Sequence, residues 1–261
     1  MKVVILAGGL GTRMREETEF RPKPMVDVGG KPVLWHIMKL YAHHQHTEFI
    51  ILAGYKSEMI KEYFYSYLVN NLDLSITLGD PASARFHGSH DEFDWKVTVV
   101  DTGKDTPTGG RIWKAREHIG KEPFLCTYGD GVSNVDISAL TRAHDASGKI
   151  ATLTSTKPMG RFGVLEIDDN SVVRDFKEKP QATDSVNIGF FLFAPEIFEY
   201  LSADSVLEEE PLHSLSQEGQ LVSFQHEGFW QPMDTYREYQ SLNELWKKGA
   251  APWAVWETSL A

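Results

Sequence analysis

Lys23 stands between two prolines, Pro22-Lys23-Pro24, a short polar stretch beyond the run Gly8-Gly9-Leu10-Gly11-Thr12-Arg13. Closely spaced glycines at the end of an apolar segment, here Val3 to Ala7, expose bare backbone N–H groups, which is what a polyphosphate binds. Arg13 and Lys23 add two cations near those N–H groups, so the segment reads as a nucleotide site. The two better-known phosphate loops do not fit. No Gly-Lys-Ser/Thr is present, which removes the P-loop. The dinucleotide pattern G-x-G-x-x-G matches at Gly9 and Gly11 but meets Met14 where close helix packing asks for Gly or Ala. Two carboxylates are the next candidates. Asp130 follows the apolar run Leu125 to Tyr128 and is flanked by Gly129 and Gly131, so it reads either as a turn residue or as a metal ligand. Asp234 lies between the apolar stretch ending at Met233 and a helical pattern, a place that also suits an N-cap.

These side chains need a frame. Apolar strand-like segments at 2–7, 48–53, 73–78, 96–101 and 123–128 alternate with helical patterns at 32–45, 56–69 and 109–119. Such alternation predicts an α/β fold with a mixed, mostly parallel sheet flanked by helices, and a ligand outside the carboxyl ends of the strands. The glycine run and Gly129-Asp130 both fall at such ends. The second part of the chain is richer in strands, at 150–156, 163–167, 172–177, 186–194 and 221–226, with helices near 136–148, 195–201, 206–218 and 235–248. No linker or repeat separates the parts, which predicts one sheet shared by a single domain over 1–261, with a nucleotide half of about 1–130 and a second half of about 131–261. Segment 79–95 has no helical or strand period and reads as a long loop or short excursion.

Composition narrows the class. With 261 residues, 41% of them apolar, the chain can bury a sizeable core. A net charge of −11 argues against nucleic acid or an anionic membrane as partner, while small anionic substrates stay open because a few cations in a cleft outweigh a distant acidic surface. One cysteine, Cys126, excludes an internal disulfide framework, and no run approaches a membrane span; the expectation is a cytoplasmic protein. His43, His44 and His46 lack the spacing of a zinc helix, and Trp246, Trp253 and Trp256 suggest packing or contacts within a homo-oligomer.

The sequence Leu6-Ala7-Gly8-Gly9-Leu10-Gly11-Thr12-Arg13 followed by Pro22-Lys23-Pro24 resembles the signature of the sugar-phosphate nucleotidyltransferases, which join a nucleoside triphosphate to a sugar 1-phosphate and release pyrophosphate. The resemblance implies the Rossmann-like nucleotide-diphospho-sugar transferase fold. It makes Arg13, Lys23 and Asp130 catalytic, and Asp130 and Asp234 the ligands of Mg²⁺, whose octahedron phosphate oxygens and waters would complete. Leu6, Ala7, Gly8, Gly9, Gly11, Thr12, Thr106, Gly110, Arg111 and Gly129 join Arg13, Lys23 and Asp130 as nucleotide contacts. Gly160-Arg161-Phe162-Gly163, Phe176-Lys177-Glu178-Lys179-Pro180 and Val186-Asn187-Ile188-Gly189 resemble the sugar-phosphate pocket. Glu178 would accept from sugar hydroxyls, Lys179 would pair the phosphate, Gly163 would admit the sugar and Asn187 would supply an amide.

Within that family the chain is most similar to the cytidylyltransferases that act on glucose 1-phosphate. The finer match rests on Lys31 to Met38, on Val100-Asp101-Thr102-Gly103 with Thr108-Gly109-Gly110-Arg111, on Thr127-Tyr128-Gly129-Asp130-Gly131, and on Phe229 to Thr235. The substrates implied are CTP and a sugar 1-phosphate, with cytosine read near Gly8 and 101–111, where thymidylyltransferases carry a glutamine. A sibling thymidylyl- or uridylyltransferase and a non-catalytic regulator on the same fold are the alternatives; a triphosphate panel and pyrophosphate release separate them.

Overall fold

The computed structural model describes all residues except 159, 161, 162, 170, 179, 180 and 258–261, and all side chains but those of 15, 16 and 167 besides. Seven strands form the central sheet: β1 (Val3–Ala7), β2 (Glu48–Ala53), β3 (Lys96–Asp101), β4 (Phe124–Tyr128), β5 (Ala151–Thr156), β6 (Val186–Phe193) and β7 (Leu221–Gln225). Their order across the sheet is β7-β5-β6-β4-β1-β2-β3. Only β6 runs against its neighbours β4 and β5; the other pairings are parallel. The main helices are α1 (Val33–His43), α2 (Ser57–Tyr65), α3 (Thr108–Lys114), α4 (Ile137–Ser147), α5 (Glu210–Gln217) and α6 (Tyr236–Lys247).

Strand alternation divides the core. Val3, Ile5 and Ala7 join Leu34, Met38 and Leu242 on one face, whereas Val4 and Leu6 join Ile112, Leu212 and Leu215 on the other. Burial on both faces explains why these strands read as continuous apolar runs. Helix boundaries follow local chemistry: Asp136 caps α4 by accepting from Ala139 N at 2.8 Å, and Gly148 ends it at φ +58. The chain leaves β1 toward β2 and β3, then returns to place β4 on the opposite side of β1. That reversal opens a crevice at the carboxyl ends of β1 and β4, where Gly8 and Gly129-Asp130 follow.

Besides the short hairpin of Asp27–Val28 and Lys31–Pro32, two hairpins stand outside the sheet and correct the sequence reading. Asp73–Thr77 pairs with Asp80–His87, so nearly half of segment 79–95, expected as a long loop or short excursion, is a strand, and 73–78 is not part of the parallel sheet. Both strands are largely exposed; Asp73–Thr77 alternates polar and apolar residues and is legible as a strand, whereas Asp80–His87, which opens on Asp-Pro, is not. Val164–Ile167 and Val173–Lys177 form the second hairpin.

The tryptophans pack internally. Trp253 is buried, its ring stacks 6.3 Å from Trp246, and its Nε1 donates to His36 Nδ1 at 3.3 Å. His36 Nε2 meets the Val28 carbonyl at 2.8 Å, which makes Nε2 the protonated nitrogen and ties α1 to the segment just beyond Lys23. Burial pushes this imidazole down to about 4. Above pH ~6.5 both folded and unfolded His36 are neutral and it contributes no pH dependence. Below that the unfolded chain takes up a proton that the folded one refuses, so stability falls from pH 6.5 toward 4, by about 3 kcal/mol at the limit. Urea melts of wild type and His36→Gln between pH 7.5 and 5 check this: the variant is expected to lose the share of the slope due to His36, leaving that of His44, His46 and His144, which burial also lowers, and equal slopes would refute the assignment.

Candidate active site

The glycine loop is folded by its own side chains. Gly11 adopts φ +62, and a Cβ there would lie 2.7 Å from Thr18 Cγ2. Thr18 Oγ1 lies 2.9 Å from both the Gly11 and the Met14 carbonyl, bridging the turn, while Met14 is buried in the core and anchors it. The Met14 that spoils the dinucleotide pattern is therefore the loop's hydrophobic anchor. Pro22 and Pro24 stiffen a short 3-10 turn, Lys23–Met25, in which the Lys23 side chain is largely buried.

Asp130 and Asp234 are far apart in sequence and are joined by a small ladder. Gly131–Ser133 pairs antiparallel with Trp230–Pro232, and Met233 N donates to the Asp130 carbonyl at 2.8 Å. Thr235, rather than Asp234, caps α6: its Oγ1 accepts from Glu238 N at 3.3 Å, and the Glu238 carboxylate accepts from the backbone N–H of Asp234 and Thr235, each at 2.9 Å. The Asp234 carboxylate is thereby left to the crevice. Lys23 Nζ donates to Asp130 Oδ2 at 2.7 Å and to Asp234 Oδ1 at 2.5 Å, and Arg13 Nη1 lies 3.0 Å from Asp234 Oδ2. Two cations and two carboxylates thus balance at one point.

That point is the neck between two cavities. The first, about 340 Å³, is lined by the glycine loop with Leu6, Ala7 and Thr12, by Thr106, Pro107, Thr108 and Arg111, and by Tyr128 and Gly129. The second, about 370 Å³, is lined by Thr127, Gly131, Asn187, Ile188, Phe190, Trp230 and Pro232. Arg13, Tyr128, Asp130 and Asp234 border both.

The structure brings most of the expected nucleotide contacts together around the first cavity, with two differences. Gly110 faces away: its N–H donates to Ser205 O at 2.9 Å, and a Cβ would lie 2.1 Å from Ala203 O. Arg111 reaches the cavity with a guanidinium already held by protein. Its Nη1 donates to Thr102 Oγ1 at 2.6 Å and Gly103 O at 2.7 Å, and its Nη2 to Gly8 O and Lys104 O, each at 3.0 Å. Burial lowers its pKa. A Cβ on Gly8 would sit 2.1 Å from this group, so Gly8 makes room for Arg111 as well as for a ligand. Thr106 Oγ1 donates to Thr102 O at 2.6 Å and accepts from Lys114 Nζ at 2.7 Å, which fixes the same loop.

Of the expected sugar-phosphate contacts, Asn187 lines the second cavity. Gly163 and Glu178 lie together on the exposed hairpin, where a Gly163 Cβ would be 3.1 Å from Glu178 Oε2, and neither lines that cavity. Lys179 lies outside the described residues. Tyr128 and Trp230 border the second cavity and escape a search for charged ligands, because each sits in an otherwise apolar run. Among the histidines, His44 Nδ1 meets Ser138 Oγ at 3.0 Å, and no three His, Cys, Asp or Glu side chains of the described residues form a metal cluster.

A family model described as nucleotidyl transferase matches residues 2–233. The chain belongs to the nucleotidyl transferase family. Curated relatives named glucose-1-phosphate cytidylyltransferase, from Salmonella typhi and from Salmonella typhimurium strain LT2, are each 49% identical over 261 residues, covering 98% of this chain and 100% of their own. A solved UDP-glucose pyrophosphorylase complexed with UDP-glucose superposes with a TM-score of 0.69 at 18% identity, over 95% of this chain and 98% of that one, which establishes the nucleotide-diphospho-sugar transferase fold. Nucleotidyl transferases of this family bind nucleoside triphosphate and sugar 1-phosphate and generally use a divalent metal. No helix among the described residues is long and apolar enough to cross a membrane.

Proposed function

We propose that the chain transfers the cytidylyl group of CTP to α-D-glucose 1-phosphate, giving CDP-glucose and pyrophosphate. The observation that carries the reading is the Lys23–Asp130–Asp234 junction at the neck of two adjoining cavities, one suited to a triphosphate and the other to a sugar phosphate. The near-full-length relatives supply the choice of cytosine and glucose.

In this reading an oxygen of the sugar phosphate attacks the α-phosphorus, the bond from that phosphorus to the bridging oxygen breaks, and the electron pair leaves with pyrophosphate. No protein nucleophile is needed, and burial pushes the Cys126 thiol up, out of any such role. Catalysis then rests on alignment and charge. Backbone N–H groups of 8–12 and Arg13 hold the leaving phosphates, and Lys23 meets the charge that grows at the α-phosphate. Arg111 holds the carbonyls of Gly8, Gly103 and Lys104 in place around the base. Trp230 offers an apolar wall to the sugar ring and Asn187 a polar one.

Asp130 and Asp234 fit Mg²⁺: their oxygens converge on one point, now taken by the Lys23 ammonium, and are the hard anionic donors such an ion prefers. Bound there, Mg²⁺ would supply Lewis-acid stabilisation of phosphate charge. We further infer a nucleotide half of about 1–130 and a sugar-phosphate half of about 131–261, and work in a reducing cytoplasm as a homo-oligomer.

The test is pyrophosphate release from CTP, UTP, GTP, ATP and dTTP with glucose 1-phosphate at fixed Mg²⁺. CTP is expected to exceed UTP, which carries the same ribose, in kcat/KM by at least ~10²-fold, and dTTP by no less, because a site of fixed donors and acceptors leaves buried groups unpaired with the wrong base. Comparable values for CTP and UTP or dTTP would remove the cytidylyl reading, and no release with any of the five triphosphates the catalytic one.

A further inference from the structure

Two side chains that line the first cavity are tied to a residue that plays no part in the reading above. The Tyr128 hydroxyl donates to Glu208 Oε1, and Thr108 Oγ1 donates to Glu208 Oε2 at 2.6 Å. Thr108 Oγ1 in turn accepts from Leu207 N at 2.9 Å, and buried Leu207 anchors the segment in the core. The Tyr128 ring is held equally firmly. It lies against Gly189, where φ is +81 and a Cβ would sit 2.0 Å from the ring, and it meets Phe191 edge-on at 5.8 Å.

Glu208 is exposed behind Tyr128 and Thr108, which themselves line the first cavity, with each carboxylate oxygen engaged by one hydroxyl and retaining a second lone pair. It is a fixed anionic acceptor. Its position along a bound nucleotide follows from its partners. The glycine loop, Lys23 and Asp130 set the phosphate end, and Arg111 lies at the base end. The ribose must span the wall between them, formed by Tyr128 just before Gly129-Asp130 and by Thr108 one helical turn before Arg111. Tyr128 also borders the second cavity, but Thr108 borders only the first, so a carboxylate held by both belongs on the nucleotide side.

We propose that Glu208, oriented by Tyr128 and Thr108, accepts a hydrogen bond from the ribose 2′-hydroxyl and selects ribonucleotides over deoxyribonucleotides. The 2′ carbon adjoins the carbon that bears the base, which favours this hydroxyl for a group reached from the Thr108 end of α3. An acidic side chain serves the same purpose in dinucleotide-binding folds. The proposal rests on reading the first cavity as the nucleotide site.

The test compares kcat/KM for ribo and 2′-deoxy triphosphates, in cytidine, uridine and guanosine pairs, with glucose 1-phosphate, for wild type, Glu208→Ala and Tyr128→Phe. Wild type is expected to favour the ribo form by about 10- to 100-fold, the size of a hydrogen bond to a charged group. Glu208→Ala should bring that ratio below 3, with the loss falling on the ribonucleotide, and Tyr128→Phe should lower it part-way. A ratio unchanged in Glu208→Ala, or equal losses on both members of a pair, overturns the proposal. If a pair other than cytidine is the one turned over, the base assignment fails and the ratio within that pair still decides the role of Glu208. A wild type inactive with every pair overturns both.

Discussion

Lys23→Ala is expected to lower kcat by at least ~10²-fold while changing the equilibrium binding of CTP much less. One preorganised donor removed from a site of developing charge has an effect of that size, about 2.7 kcal/mol of transition-state stabilisation. Lys23 is suited to such a role because it cannot drift. Its side chain is largely buried, prolines fix the backbone on both sides, and its ammonium is already shared between two carboxylates at 2.7 and 2.5 Å. Ground-state binding of the triphosphate instead draws on the backbone N–H groups of the glycine loop and on Arg13, which the substitution leaves in place. Single-turnover rates beside a CTP titration separate the two effects. Unchanged turnover would remove Lys23 from the chemistry, and a parallel loss in kcat and CTP affinity would make it a general phosphate contact.

Much of this arrangement could be read from the sequence because it is local. Gly8 to Arg13, Lys23 and Gly129-Asp130 each declare themselves within a few residues, and fully apolar strands announce a sheet covered on both faces. What was not visible depends on partners distant in the chain. Arg111 looks like a nucleotide contact from its charge alone; that its N–H groups are held by Gly8, Gly103 and Lys104 carbonyls emerges only when two strand ends meet. Glu208 sits in an ordinary acidic stretch and gains meaning from Tyr128 and Thr108. The hairpin strand Asp80–His87 is largely exposed and opens on Asp-Pro, so it lacks the apolar run that marks the strands of the central sheet. The sequence also carries the signal that frees Asp234: Thr235 followed by Glu238 is a capping box, which moves the N-cap one residue beyond it.

Asp130→Asn and Asp234→Asn should each make activity depend on much higher Mg²⁺, by about 10- to 100-fold at half-maximal rate, because the amide keeps the shape of the side chain but withdraws one anionic ligand. The geometry adds an asymmetry. Asp234 also pairs with Arg13 at 3.0 Å, whereas Asp130 pairs with Lys23 alone among the described residues. Asp234→Asn therefore frees Arg13 and leaves the site more cationic near the triphosphate, so CTP binding without metal should tighten more in this variant than in Asp130→Asn. If both carboxylates serve one ion, the double variant should be little worse than the more damaged single, since a site lost once cannot be lost again. Metal titrations of pyrophosphate release for the three variants, with CTP titrated in excess chelator, test both parts. Multiplying losses in the double variant would give the two aspartates separate tasks, and activity persisting in chelator would reduce them to the charge partners of Lys23.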